Sequence, residues 1–309
     1  MHLPRLLPLR HQTALSFLTA VSIVVLAGCN QPLETKPLPH PVFDQATLTQ
    51  LRASHATNIN EILAQNQMLN TSMEDRIGRS PYTPVTYLDF TRCWNDPHCH
   101  YSITETGIPI QAFPANPIVY DWWLNRFAAP EQAAVCGVRL LDENASHYEL
   151  ASFQNLHELE STTNFTLTHY QQCGSCSTLQ DLAVYGSLDL TIMAKTCSKR
   201  LGLSNKKQCM QDIGFTEACA ESWAYNADKT TQSCLIQCVQ EYGLIPLLTG
   251  TESSDNTNNG ELNQCLQCDE MMAGPGFQYA AGRTRRNSGI ESEIERPDEQ
   301  VYEVEHDYF

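Results

Sequence analysis

The sequence predicts an α+β protein: a small sheet with a long N-terminal helix and a disulfide-rich helical C-terminal half. Three observations carry that prediction. Four runs between residues 80 and 172 are rich in β-branched and aromatic residues with partial alternation. Five later runs have helical periodicity, and glycine follows four of them. Nine of the thirteen cysteines fall between Cys173 and Cys268.

Residues 1–28 read as a secretion signal. Arg5 and Arg10 form a basic start, an apolar run spans Thr13 to Val25, and Leu26-Ala-Gly-Cys29 closes it. Thirteen residues are too few to cross a bilayer, which needs roughly 20 at 1.5 Å each. LAGC resembles the lipobox of bacterial lipoproteins. The resemblance implies lipidation of Cys29 with acyl chains such as palmitate, cleavage before it, and attachment to a membrane through that lipid. Asn30 in place of Asp implies an outer-membrane address in the cell envelope, facing the periplasm or the cell surface.

Residues 29–43 hold Pro32, Pro37, Pro39 and Pro41, so they are expected to form an extended tether. Residues 44–79 contain a stretch free of Pro and Gly up to Ile77. There Leu48, Leu51, Ile59, Ile62, Leu69, Met73 and Ile77 line one side of a helical spiral that Asp44 can cap. This predicts one long amphipathic helix, packed on the body or paired with a partner, and His55 reads as a packed core histidine rather than a ligand. Residues 80–172 are expected to form a small α+β core. Its strands are Pro84–Thr91, Ala134–Leu141, His147–Phe153 and Phe165–Gln171; Gln154–Thr163 is a crossover helix and Asp121-Trp-Trp-Leu-Asn-Arg-Phe127 a buried one. Residues 173–290 are expected to be a disulfide-stapled helical region, with helices over Thr178–Tyr185, Asp189–Leu201, Asn205–Ile213, Thr216–Ala227 and Thr230–Tyr242 and a loop over Thr249–Asn263. Residues 291–309 carry eight acidic groups and read as a solvated tail.

Removing residues 1–28 removes two of the 19 basic groups and none of the 35 acidic ones, so the balance becomes 17 against 35, or −18. So acidic a body repels nucleic acid, which is excluded as a partner. With Cys29 lipidated, twelve cysteines remain: Cys93, Cys99, Cys136, Cys173, Cys176, Cys197, Cys209, Cys219, Cys234, Cys238, Cys265 and Cys268. An even number in an exported chain favours disulfides, whose connectivity the sequence leaves open.

The tetrapeptide Cys173-Gly-Ser-Cys176 invites three chemical readings. Strand, Cys-x-x-Cys and helix follow one another as in thioredoxin-like proteins, where a helix N-terminus lowers the first thiol's pKa. With His169 nearby, that makes a thiol-disulfide oxidoreductase the alternative function. Against it, no proline lies between Pro130 and Pro246 to supply the cis-proline loop of those proteins, and Cys-bearing helices follow instead. A papain-like reading fails because Ser177 stands where an aromatic belongs and His306, the only downstream histidine, has no Asn after it. A zinc set from Cys173, Cys176, Cys265 and Cys268 requires joining pairs 88 residues apart, and Cys93 to His100 offers His98 and His100 as further ligand types. Arg283, Arg285 and Arg286 either grip an anionic ligand or pair with the acidic tail.

The stretches HYELASF, CGSCSTLQDLAVY and CLQCDEMMAGPGFQYAAGRTRRNSG resemble a cysteine-rich family of exported or uncharacterised proteins over residues 134–300. That resemblance implies one folded unit and no activity. The expected function is a non-catalytic binding or structural role, with an envelope protein as partner, no catalytic residue, no metal and no cofactor.

Overall fold

The computed structural model describes residues 33–66, 130–253, 256–258, 261–292, 294 and 301–309. The predicted strand at residues 84–91, the aromatic helix at 121–127, and Cys29, Cys93, Cys99, His98 and His100 lie outside the described residues.

The chain is mixed α and β, with a small four-stranded sheet and a helical second half. The single long helix expected over residues 44–79 is not what forms over its described part. Helix α1 (Gln45–Ala53) starts at Asp44, whose side chain accepts from Thr47 N–H, and stops at Ser54. A two-residue strand β1 (His55–Ala56) follows, then α2 (Ile59–Asn66). A sheet edge outcompetes the helix here. His55 N–H donates to the Ser146 carbonyl (2.9 Å) and Thr57 N–H to the Tyr148 carbonyl (2.8 Å), while the Asn58 amide exchanges hydrogen bonds with the Leu150 backbone.

The sheet continues with β2 (Val135–Leu140), β3 (His147–Phe153) and β4 (Thr166–Tyr170), in the order β1-β3-β2-β4. Strands β2, β3 and β4 pair antiparallel, and β1 joins β3 in parallel. Alternation along the strands sends Val135 and Phe153 to one face. There they pack with Leu159 of α3 (Leu156–Ser161), Tyr170, Tyr302 and Val304. Cys136, Tyr148, Leu150 and His169 turn to the other face, towards the helices.

Helices α4 (Leu179–Tyr185), α5 (Leu190–Ser198) and α6 (Leu203–Asp212) lead to α7 (Glu217–Tyr242). The two helices expected over Thr216–Ala227 and Thr230–Tyr242 form this one element. Asp228 and Lys229 contain no breaker, and the Thr230 and Thr231 hydroxyls donate back to the carbonyls of Asn226 and Ala227, within the helix. After α8 (Leu244–Thr249), the expected loop contains a two-strand hairpin, β5 (Thr257–Asn258) and β6 (Glu261–Leu262). Then α9 (Gln264–Met272) and α10 (Gly274–Ala281) pack on α7.

Two further corrections concern the ends. The proline-rich segment is tied to the body from Lys36 onward: the Lys36 carbonyl accepts from Asp189 N–H, Leu38 N–H donates to the Ser187 carbonyl, and Leu38 and Phe43 are buried while the residues between them stay exposed. The acidic segment also docks. In 301–309, Tyr302, Val304, His306 and Tyr308 turn inward while Glu303, Glu305 and Asp307 point out, so its charges are solvated and its backbone is not free. The Tyr302 ring stacks on Tyr170 at 4.3 Å, and Tyr308 is buried.

Candidate functional site at the Cys173–Cys176 turn

Strand β4 delivers the chain to Cys173, and α4 begins three residues after Cys176. Within this turn the two cysteines do not bond each other. Cys173 is bridged to Cys136 on β2 (Cα–Cα 4.8 Å) and Cys176 to Cys219 in the first turn of α7 (Cα–Cα 4.6 Å). One bridge ties the turn to the sheet and the other ties it to the longest helix. Three more bridges join helices: Cys197–Cys209 between α5 and α6, and Cys234–Cys268 and Cys238–Cys265 between α7 and α9. Cys173, Cys176, Cys265 and Cys268 are therefore spread over four different bridges and form no zinc set.

The turn is also held through its backbone. Ser175 N–H and Cys176 N–H donate to the carbonyls of Ala280 and Ala281 (both 2.9 Å) at the end of α10. Two glycines make this approach feasible. A Cβ on Gly174 would lie 2.5 Å from the Ala281 carbonyl carbon, and one on Gly282, whose φ of +72° is in the left-handed half of the map, would lie 2.6 Å from the Gln172 oxygen. The Ser175 hydroxyl sits 2.5 Å from that of Ser222 on α7 and donates to the Ala280 carbonyl.

His169 is fully buried. Its Nδ1 lies 2.7 Å from the Tyr170 carbonyl, which only accepts, so Nδ1 carries the hydrogen. Nε2 then accepts from the Ser177 hydroxyl (2.7 Å), whose oxygen in turn accepts from Gly174 N–H (2.7 Å). Burial first, and the nearby Arg283 charge second, hold the imidazole well below its ordinary pKa, so it stays neutral. A Ser–His pair of this kind has the atoms of a nucleophile and base. Neither side chain reaches solvent, and the pair acts as a brace between β4 and the turn.

Arg283 occupies the centre of this node with no exposure. Its fork donates to the carbonyls of Cys176 (3.1 Å), Thr168 (3.0 Å) and Ser177 (3.2 Å) and to the hydroxyls of Thr168 (2.6 Å) and Ser288 (3.1 Å). The Tyr308 hydroxyl donates to the same Thr168 hydroxyl (3.0 Å). Arg285 donates to the Leu188 carbonyl and to that of Glu291. Arg283 thus grips backbone carbonyls and hydroxyls of the fold, and Arg285 also reaches backbone carbonyls.

Asp181 is buried beside the turn on α4. It accepts from the Thr178 hydroxyl (2.6 Å), from Thr216 N–H (2.8 Å) and from the Thr216 hydroxyl (3.0 Å), so it joins the starts of α4 and α7. Burial outweighs these bonds and lifts its carboxyl to about 6.

Cys136, Cys173, Cys176, Cys219 and His169 are thus brought together, while the remaining described cysteines lie among the helices. The residues the sequence reading missed are Arg283 as a buried hub, Ser177, Asp181 and Tyr308. The alternation of VYEVEHDYF was the available signal for Tyr308. Among the described residues there is no group of three or more His, Cys, Asp or Glu that could hold a metal, and no helix long and apolar enough to cross a membrane.

A family of unknown function (DUF8771) matches residues 203–304, about a third of the chain. The match takes in α6 to α10, Arg283 and the first residues of the C-terminal segment, and leaves the sheet and the Cys173–Cys176 turn outside it. No curated protein and no solved structure matches the chain.

Proposed function

We propose that this protein is a lipid-anchored, disulfide-clasped component of the cell envelope, with a non-catalytic binding or structural role towards another envelope component. The observation that carries the reading is the use of both cysteines of Cys173-Gly-Ser-Cys176 in separate bridges to opposite halves of the fold. A dithiol oxidoreductase needs those sulfurs free to bond each other, and an accessible thiolate at the helix start. Here both are buried, and the first N–H groups of α4 are occupied by the Tyr148 hydroxyl and by Thr178. Five bridges in the described residues support an oxidising compartment, in line with a secretion signal at residues 1–28. The Leu26–Cys29 motif supports the anchor, with an outer-membrane address following from Asn30.

Disulfide mapping of the purified mature chain tests the role. Peptides linking Cys136 to Cys173 and Cys176 to Cys219 are expected, together with no turnover in an insulin-reduction assay; a Cys173–Cys176 peptide with turnover would establish the oxidoreductase instead. For the anchor, radiolabelled palmitate incorporated by the wild-type chain is expected to disappear in Cys29→Ala, and label persisting in that variant refutes lipidation at this cysteine.

A further inference from the structure

His55, expected inside a helix, stands on β1 in parallel register with His147 on β3. Partners in register project from the same face of a sheet. Both rings are exposed, with centroids 6.2 Å apart and planes at 55°. The flanking ladder bonds from His55 N–H and Thr57 N–H hold the two backbones in place.

His147 is oriented further. Its Nδ1 lies 2.9 Å from Asp142 Oδ2, and Asp142 is fixed in the β2–β3 turn by the Ser146 N–H (2.7 Å) and hydroxyl (2.6 Å). An ionised carboxylate only accepts, so Nδ1 carries the hydrogen and the lone pair of neutral His147 is at Nε2. A carboxylate behind one imidazole nitrogen is the support that metal-ligating histidines use. With metal–nitrogen distances of about 2.0–2.1 Å, two imidazoles on one ion have centroids about 5–6 Å apart, close to the 6.2 Å seen. Glu149, two residues along the same face, is committed to Arg139.

We propose that His55 and His147 form a two-imidazole site for a divalent transition-metal ion of the zinc, nickel or copper class, with Asp142 as its positioning residue. Water or the donor atoms of a bound partner complete the coordination. The acidic body adds a long-range attraction for cations. The site stands independently of the envelope role above.

The test is titration of the metal-free full chain with Cu²⁺, read by electron paramagnetic resonance, and with Zn²⁺ by calorimetry. One saturable site with two-nitrogen hyperfine structure is expected. His55→Gln and His147→Gln should each lose it, and Asp142→Asn should weaken it by about 10- to 100-fold. A double His98→Gln, His100→Gln variant should retain it, and thermal midpoints close to wild type verify that each variant folds. Absence of saturable binding, or binding that survives both single His variants, overturns the site. An unchanged affinity in Asp142→Asn overturns the part assigned to that carboxylate.

Discussion

Arg283 shows how much one side chain can hold when its partners are neutral. Its charge is delocalised over a planar fork with five donors, and the fork meets five acceptors drawn from β4, the Cys173–Cys176 turn and the Arg286–Ser288 turn. Lysine keeps the charge, yet it offers three donors from one point. The Thr168 hydroxyl keeps its bond from Tyr308, so Arg283→Lys leaves at least one buried acceptor without a donor, at about 1–3 kcal/mol. Urea unfolding should show a loss of about 1–3 kcal/mol on this basis; an unchanged midpoint contradicts the hub. The sequence showed three arginines close together after α10 and no sign of which one is the hub. Burial depends on the length of reach from Arg283 to the turn 106 residues earlier, which is a distance in space.

Several secondary-structure elements follow local pattern alone. β2, β3, β4, α3, α4 and α5 form where periodicity and propensity put them, because each buries one face against a neighbour that its own pattern matches. Two errors have one cause. The apolar stripe of residues 44–66 is compatible with a continuous helix, and the break at Ser54 appears only when an unpaired sheet edge offers hydrogen bonds to His55 and Thr57. Likewise, the C-terminal acids mask a period-two pattern whose inward residues need Tyr170 and Thr168 to pack on. Deleting residues 301–309 should lower stability by about 3 kcal/mol, since it removes the half-buried Tyr302 and the buried Tyr308 and uncovers what they pack on. A solvated tail would give no change in the denaturation midpoint.

Across the whole molecule, buried titratable groups pull the pH dependence in opposite directions. Burial raises Asp181 to about 6, and Asp269 likewise, above the ordinary carboxylate value of 3.8. The folded state then holds protons that the unfolded state has lost between about pH 4 and 6, so these two groups favour folding at the acid end and oppose it above about pH 6. His306 runs the other way. Burial lowers it to about 4, so acidification below about 6.5 protonates the unfolded state first and weakens the fold. Asp181→Asn isolates one contribution. From pH 7 to pH 4 the stability of wild type relative to this variant should rise by about 3 kcal/mol, the equivalent of a two-unit shift. Urea titrations of both proteins at the two pH values measure it, and a constant difference refutes the assignment.

The α+β class, the helical, cysteine-rich second half and the strand-turn-helix setting of Cys173–Cys176 are legible in the amino acids alone, because propensity, period and composition are local quantities. Which cysteines meet depends on packing. Twelve thiols admit many connectivities, and the choice falls to the pairs whose Cα atoms the packed elements bring within about 4–7 Å. Packing also gave the tetrapeptide the partners of a clasp, the use expected of it over the reactive pair: the same four residues give a reactive pair or two structural ends according to what stands opposite each sulfur. For Cys173 that is a sheet strand and for Cys176 the first turn of a 26-residue helix.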